Sequence, residues 1–208
     1  MVSIIIPCKN RLNHLVATFG MTRRVQGDVE IIIVDYKCPM GTANFFERAF
    51  HKEKRLNIVR ADVDDDAWSL SHARNLGYKA STGDALLFLD ADTCCKSNFV
   101  TAHSLNQNEF YTGEWLHCSG CCFVWRDDFK AVKGYNEVIR SWGSEDYDLY
   151  RRLETKGINR KYFDKKLYKN LPHSDKIRNE YHGRKNIHIS NEENYQASIK
   201  EFKSCLVI

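Results

Sequence analysis

The sequence predicts an α/β protein, a mainly parallel twisted sheet flanked by helices, in one domain across residues 1–208. Three observations lead there. Short apolar runs recur at Val2–Ile6, Ile31–Val34 and Ala85–Leu89, as in buried strands, with a shorter strand-like stretch at Leu56–Arg60. Segments with apolar residues at helical spacing separate them, and strand alternating with helix implies parallel pairing through right-handed crossovers. Charged residues cluster just past the ends of these runs, where a doubly wound sheet holds its ligands.

A chain of 208 residues is long enough to bury one good core. With 43% hydrophobic and 28% charged residues it has an ordinary globular composition. A net charge of +4 is too mild to mark a nucleic-acid binder. Of the eight cysteines, Cys118 and Cys121 form a lone C-x-x-C in apolar, aromatic surroundings, which reads as core thiols rather than metal ligands or a redox pair. Free thiols at this density point to a reducing, cytoplasmic compartment. No apolar run approaches a membrane span, and Val2–Ile6 is too short for a signal core. Cys205-Leu206-Val207-Ile208 fits a prenylation box, with chance as the better explanation.

In chain order, Val2–Ile6 is a first strand, stopped by Pro7. Asn10 can cap a helix whose stripe is Leu12, Leu15, Val16 and Phe19. Glu30–Asp35 is a second strand ending in an acid, and an amphipathic segment follows from Phe45 to Phe50. Leu56–Arg60 is a third strand, and a helix over Ser71–Ala80 leads into the fourth. The residues at the strand ends are the candidates: Pro7, Lys9 and Arg11, then Asp35 and Tyr36, then Asp62. Asp64–Asp66 reads as a solvated loop.

The fourth strand ends in Asp90-Ala91-Asp92. Alternation along an extended chain lets both carboxylates face one point, an arrangement suited to Mg²⁺ or Mn²⁺ holding a diphosphate. A lone Asp-x-Asp is more often a solvated turn. Here Arg74 and Asn75, on the preceding helix, can point toward the same strand end and tip the balance.

The second half breaks the alternation. Lys96–Leu105 reads as a helix and Glu114–Trp125 as a strand, with Gly120 where a ligand or another backbone approaches closely. Asp127–Val132 makes a short helix. Ser144 can cap the helix that follows it, whose first-turn acids suit the dipole. Asp146 shares a stripe with Leu149, Tyr150 and Leu153, so it is placed to project into a cleft. After Gly157 the chain turns basic, which reads as a solvated face, and His173 falls in a loop.

Together these stretches resemble the GT-A glycosyltransferases over nearly the whole chain. Val2–Pro7, Val34-Asp35, Ala73-Arg74-Asn75, Gly83-Asp84 and Phe88–Asp92 look like family 2. Pro7-Cys8-Lys9-Asn10-Arg11, Trp142-Gly143-Ser144-Glu145-Asp146 and Pro172-His173-Ser174 are closer to β-1,4-galactosyltransferases and chondroitin-synthase-type domains.

The resemblance implies a nucleotide-binding half over 1–93 and an acceptor half over 94–208. It implies a nucleotide diphosphate sugar donor, by analogy a UDP-sugar, a glycan or glycoconjugate acceptor, and a Mn²⁺ or Mg²⁺ cofactor. Asp35 would receive the base, with Pro7, Lys9 and Arg11 lining its pocket and Asp62 reaching base or ribose. Arg74 would brace the diphosphate or the first acid of Asp-x-Asp. Asp92 and His173 would ligate the metal, with Asp90 on the ribose or a metal-bound water and Ala91 beside the donor. Gly120 would let backbone approach the sugar, and Trp142 would stack on a sugar ring. Glu145 would hold donor or acceptor, and Asp146 would be the base of an inverting transfer. Ser144 replaces a glycine of the galactosyltransferase motif. Rival readings are a retaining GalNAc-transferase-like enzyme, a nucleotidyltransferase, and a non-catalytic sugar-nucleotide-binding module. A nucleotidyltransferase usually has a Gly-rich basic loop after the first strand, which is missing here.

Overall fold

The computed structural model describes residues 1–64, 68–114, 117–141, 143–173 and 187–205. Strands β1 (Val2–Cys8), β2 (Val29–Asp35), β3 (Leu56–Arg60) and β4 (Ala85–Phe88) lie parallel in the spatial order β3-β2-β1-β4. The crossovers carry α1 (Leu12–Thr22), α2 (Thr42–Ala49) and α3 (Leu70–Ala80). Because side chains alternate across a strand, Ile4 and Ile6 pack with Leu15, Phe19 and Phe46 on one face. Ile5 and Val34 pack with Ala73, Phe129 and Leu149 on the other. All of these side chains are nearly solvent-free, so each face of the sheet has its own core.

Pro7 does not stop β1, contrary to expectation. The last β1–β4 pair is Ile5 with Phe88, and the Leu89 N–H then donates to the Ile5 carbonyl at 3.0 Å. Pro7 shares the parity of Ile5, so its missing N–H faces the side that β4 has left, while β2 still pairs along the other edge. Asn10 is no helix cap either. It takes a left-handed φ of 55° and its N–H donates to Cys38 Sγ at 3.3 Å; Arg11 stands at the helix start without a side-chain cap.

Beyond β4 the pairing turns antiparallel. β7 (His117–Trp125) runs against β4, β6 (Glu109–Glu114) against β7, and β8 (Asn159–Tyr162) lies parallel to β6. The strand expected at Glu114–Trp125 is thus β7, and β6 went unread: buried Phe110 and Thr112 alternate with half-buried Tyr111, but Thr112, Gly113 and the flanking Glu109 and Glu114 leave little apolar pattern. The helix expected over Lys96–Leu105 shrinks to α4 (Phe99–Ala102), preceded by the short strand β5 (Thr93–Cys95). α5 (Arg126–Ala131) and α6 (Glu145–Thr155) match expectation. β9 (Tyr168–Asn170) pairs with β5 outside the main sheet, and α7 (Ile187–Cys205) closes the described chain. Cys118 and Cys121 are buried and free, with the Thr93 hydroxyl beside both, in agreement with core thiols. Among the described residues no helix is long and apolar enough to cross a membrane. The basic residues at 174–186 lie outside the described residues, as does the end of the prenylation-like box.

Candidate active site

Ser69 caps α3 by accepting the His72 N–H at 3.2 Å, and the helix carries Arg74 against the end of β4. Arg74 is fully buried, and its two terminal nitrogens find the partners that a buried guanidinium needs, while Nε has none among the described residues. Its Nη2 donates to Asp90 Oδ1 at 3.0 Å and to the Gly120 carbonyl at 2.7 Å. Its Nη1 donates to Asp146 Oδ1 at 2.5 Å, with Glu145 Oε1 at 3.9 Å, and the Tyr135 ring lies 4.9 Å from the guanidinium carbon. One side chain therefore ties together the end of β4, the middle of β7 and the start of α6. Of its two implied roles, Arg74 braces the first acid; enclosed as it is, it offers no face to a diphosphate.

Gly120 makes room for this convergence. A Cβ there would stand 2.9 Å from Asp90 Oδ2, 3.1 Å from Asp146 Oδ2 and 3.2 Å from Arg74 Nη2. The groups that come close at this glycine are the two carboxylates and the guanidinium. Asn75 also differs from expectation. Its amide accepts the Tyr135 N–H at 3.0 Å and donates to the Tyr135 carbonyl and Glu137, both at 2.8 Å, which pins the 134–137 turn rather than reaching the strand end. Ser144 has a left-handed φ of 69° and no side-chain cap; its hydroxyl donates to Asn191 Oδ1 at 2.8 Å.

Three carboxylates around one guanidinium crowd negative charge. Burial, and then Asp146, lifts Glu145 to about 8. Burial lifts Asp90 to about 6 against the pull of Arg74, with Asp92 and Asp146 adding to the rise. A third of the Asp90 side chain (33%) still opens to solvent, so its carboxylate remains within reach of a ligand. Asp92 goes the other way. Burial pushes it up, but the hydrogen bond and charge of His173, together with Arg11, hold it below the usual range.

The β5–β9 ribbon brings these last two together. Leu171 N–H donates to the Asp92 carbonyl at 2.8 Å, extending the ribbon by one bond and delivering His173. His173 Nε2 lies 2.9 Å from Asp92 Oδ2, with side-chain exposures of 11% and 13%. His173 Nδ1 is buried with no partner among the described residues. Adjacent ligands on bonds of about 2.1 Å would stand roughly 3.0 Å apart, so the two atoms fit one divalent cation. No cluster of three or more possible ligand residues occurs among the described residues, so the described chain offers a cation these two side chains. His14 of α1, unremarked in the sequence, packs edge-on to His173 with ring centroids 6.1 Å apart.

On the base side, Asp35 accepts the Cys38 N–H on Oδ1 and the Ala43 N–H on Oδ2, each at 2.7 Å. Its first task is to fix the loop into α2. Lys9 is buried with its ammonium 5.6 Å from the Tyr36 ring, and the Tyr36 hydroxyl meets His72 Nδ1 at 3.1 Å. Arg11 is buried, Pro7 lies within β1, and Asp62 is exposed just past β3. Ala91 accepts the Thr18 hydroxyl on its carbonyl at 2.9 Å. Cys38 was not singled out in the sequence. A hydrogen bond from the Cys8 thiol, opposed by burial and aided by Thr42 and the Met40 and Asn10 amides, draws it down to about 5. Trp142 lies outside the described residues.

This convergence of Asp-x-Asp, a helix-borne acid and a histidine on a mixed sheet can be set beside known proteins. The glycosyl transferase family 2 pattern matches residues 3–173. The chain belongs to this family. A protein from Haemophilus influenzae described as an uncharacterized glycosyltransferase is 33% identical over 98 residues, 45% of this chain and 30% of that protein. The mannosyltransferase PcManGT from Pyrobaculum calidifontis, solved with GDP-Man and Mn²⁺, superposes with a TM-score of 0.70 at 14% identity, covering 82% of this chain and 57% of that one. S. aureus TarS 1-349 with UDP-GlcNAc gives 0.65 at 12% identity, covering 86% and 60%. The catalytic domain of Drosophila beta1,4galactosyltransferase 7 with xylobiose gives 0.64 at 14%, covering 89% and 75%. The fold of this family 2 member is GT-A.

Proposed function

We propose that this family 2 protein is a metal-dependent, inverting glycosyltransferase that moves a sugar from a UDP-sugar to a hydroxyl of a glycan or glycoconjugate. The observation that carries the reading is the juxtaposition of Asp90, Gly120 and Asp146 about Arg74, at the strand end that also bears Asp92 and His173. Asp92 and His173 would hold Mn²⁺ or Mg²⁺, which when bound supplies a Lewis acid for the charge on the leaving diphosphate. Asp35 keeps lone pairs beyond the two used by backbone N–H groups, and with Pro7, Lys9 and Arg11 it would line the base pocket. Asp62 and Asp90 would serve the ribose, with Ala91 beside the donor, and Trp142 would face a sugar ring.

In the transfer, the acceptor oxygen attacks the anomeric carbon as the bond from that carbon to the phosphate oxygen breaks, leaving the nucleoside diphosphate. The acceptor proton passes to Asp146. Arg74 holds one oxygen of that carboxylate, which leaves Oδ2 for the proton and fixes the direction it faces. Glu145, buried beside it and raised to about 8, would be a neutral hydrogen-bond donor at neutral pH toward a sugar hydroxyl. An acid placed to deprotonate the acceptor supports inversion over retention, and over a module that only binds.

The test is release of nucleoside diphosphate from UDP-, GDP- and dTDP-sugars with Mn²⁺ or EDTA. Release from a UDP-sugar, abolished by EDTA and reduced at least 100-fold in Asp146→Asn, is expected. Release that persists in EDTA, or full turnover in Asp146→Asn, would overturn the reading.

A further inference from the structure

The turn that leads into α6 is strained. Ser141, Gly143 and Ser144 all have positive φ, at 64°, 99° and 69°, and two of the three are not glycine. A non-glycine residue in this region is sterically disfavoured and persists only where its surroundings hold it. On one side the support is the Ser141 N–H donating to the Trp68 carbonyl at 3.0 Å. On the other it is α7. Asn194, 7% exposed, donates from Nδ2 to the Arg140 carbonyl at 2.7 Å and to the Gly143 carbonyl at 3.1 Å. Its Oδ1 accepts the Arg140 N–H at 3.4 Å. Asn191 accepts the Ser144 hydroxyl and fills the space above Gly143, where a Cβ would lie 2.3 Å from Asn191 Oδ1. The family pattern ends at residue 173, so α7 lies beyond it.

We propose that Asn194 and Asn191 are positioning residues, through which α7 holds Arg140, Gly143 and Ser144 ahead of α6 and thereby aims Asp146 into the site. The inference rests on Asp146 being the proton acceptor. Ser198 supplies the control. One turn further along α7, its hydroxyl donates to Asp148 Oδ1 at 2.7 Å and accepts from Arg151 at 2.8 Å, so it docks the same helix without touching the turn.

The experiment compares Asn194→Ala, Asn194→Asp and Ser198→Ala in the full chain by hydrogen exchange and by steady-state kinetics. Both Asn194 variants should speed exchange of the amides of Arg140, Ser141 and residues 143–146 about 10-fold and lower kcat roughly 10- to 100-fold with the donor KM unchanged, since small misplacements of a catalytic group cost that much. Ser198→Ala should leave both within about twofold. Loss in Asn194→Asp, which keeps the shape and removes the donor, separates the hydrogen bonds from packing. Unchanged exchange in both Asn194 variants, faster exchange with unchanged kcat, or an equal effect from Ser198→Ala would overturn the inference. A wild type inactive on every donor would instead count against the catalytic reading, and exchange alone would then decide whether Asn194 holds the turn.

Discussion

Arg74 is the residue on which the site turns. It is fully buried and hydrogen-bonds Asp90, Asp146 and the Gly120 carbonyl. Removing one partner of a buried charge cluster strands the others, so Arg74→Met should destabilise by about 3–5 kcal/mol in urea unfolding. Glu145 gives a prediction with a sign. Its folded pKa of about 8 lies above the ordinary 4.5, so the folded state retains a proton that the unfolded chain releases. That contribution to stability is complete below about pH 4.5 and is lost as pH rises to about 8. Unfolding midpoints of Glu145→Gln should therefore fall less than wild type between pH 5 and 8, and parallel curves would contradict the assignment. At this scale the meeting of Asp92 with His173 was legible only through the family resemblance, since a lone Asp-x-Asp or a loop histidine is by itself more often structural, whereas Arg74 was placed by its helix before the strand end. Asn75 and Ser144 were misjudged, because a short polar side chain serves whichever backbone lies beside it, and sequence does not name that neighbour.

At the scale of elements, β7 separates binding from packing. Gly120 sits at its middle with Asp90, Asp146 and Arg74 within 3.2 Å of where a Cβ would be. Gly120→Ala should cost about 1–3 kcal/mol of stability, measured by urea unfolding, and turnover should fall as the two carboxylates are pushed apart. Strands β1, β2 and β4 could be read from apolar runs because burial on both faces leaves little ambiguity, and β3, an edge strand with half-buried Leu56, Ile58 and Val59, from a shorter apolar pattern. β6, with polar residues among its buried ones, and the three-residue strands β5 and β9 could not. That ribbon is what carries His173 to Asp92, so the match between two distant residues was anticipated without the element that makes it. α7 was not read at all: among its described side chains the buried ones are Ser190, Asn194 and Ser198, polar residues whose spacing gives no hydrophobic signal.

At the scale of the molecule, a parallel half and an antiparallel half meet where β4 pairs with β1 on one side and β7 on the other. β4 ends two residues before Asp90 while β1 runs on through Pro7 to Cys8, which opens the crevice at the carboxyl ends where ligands of such sheets sit. The donor would lie across both halves, so binding should stabilise the whole domain. At 100 times Kd the linkage is about 2.7 kcal/mol. For a domain of this size that raises the melting temperature by roughly 5–10 °C, and UDP with Mn²⁺ should show the rise where UDP with EDTA does not. The measurement that bears most directly on the account is calorimetric titration of UDP with Mn²⁺ into wild type, Asp92→Ala and Asp146→Asn. The account predicts Mn²⁺-dependent binding in wild type, its loss in Asp92→Ala, and wild-type affinity in Asp146→Asn. Equal affinity in all three, indifferent to Mn²⁺, would contradict it.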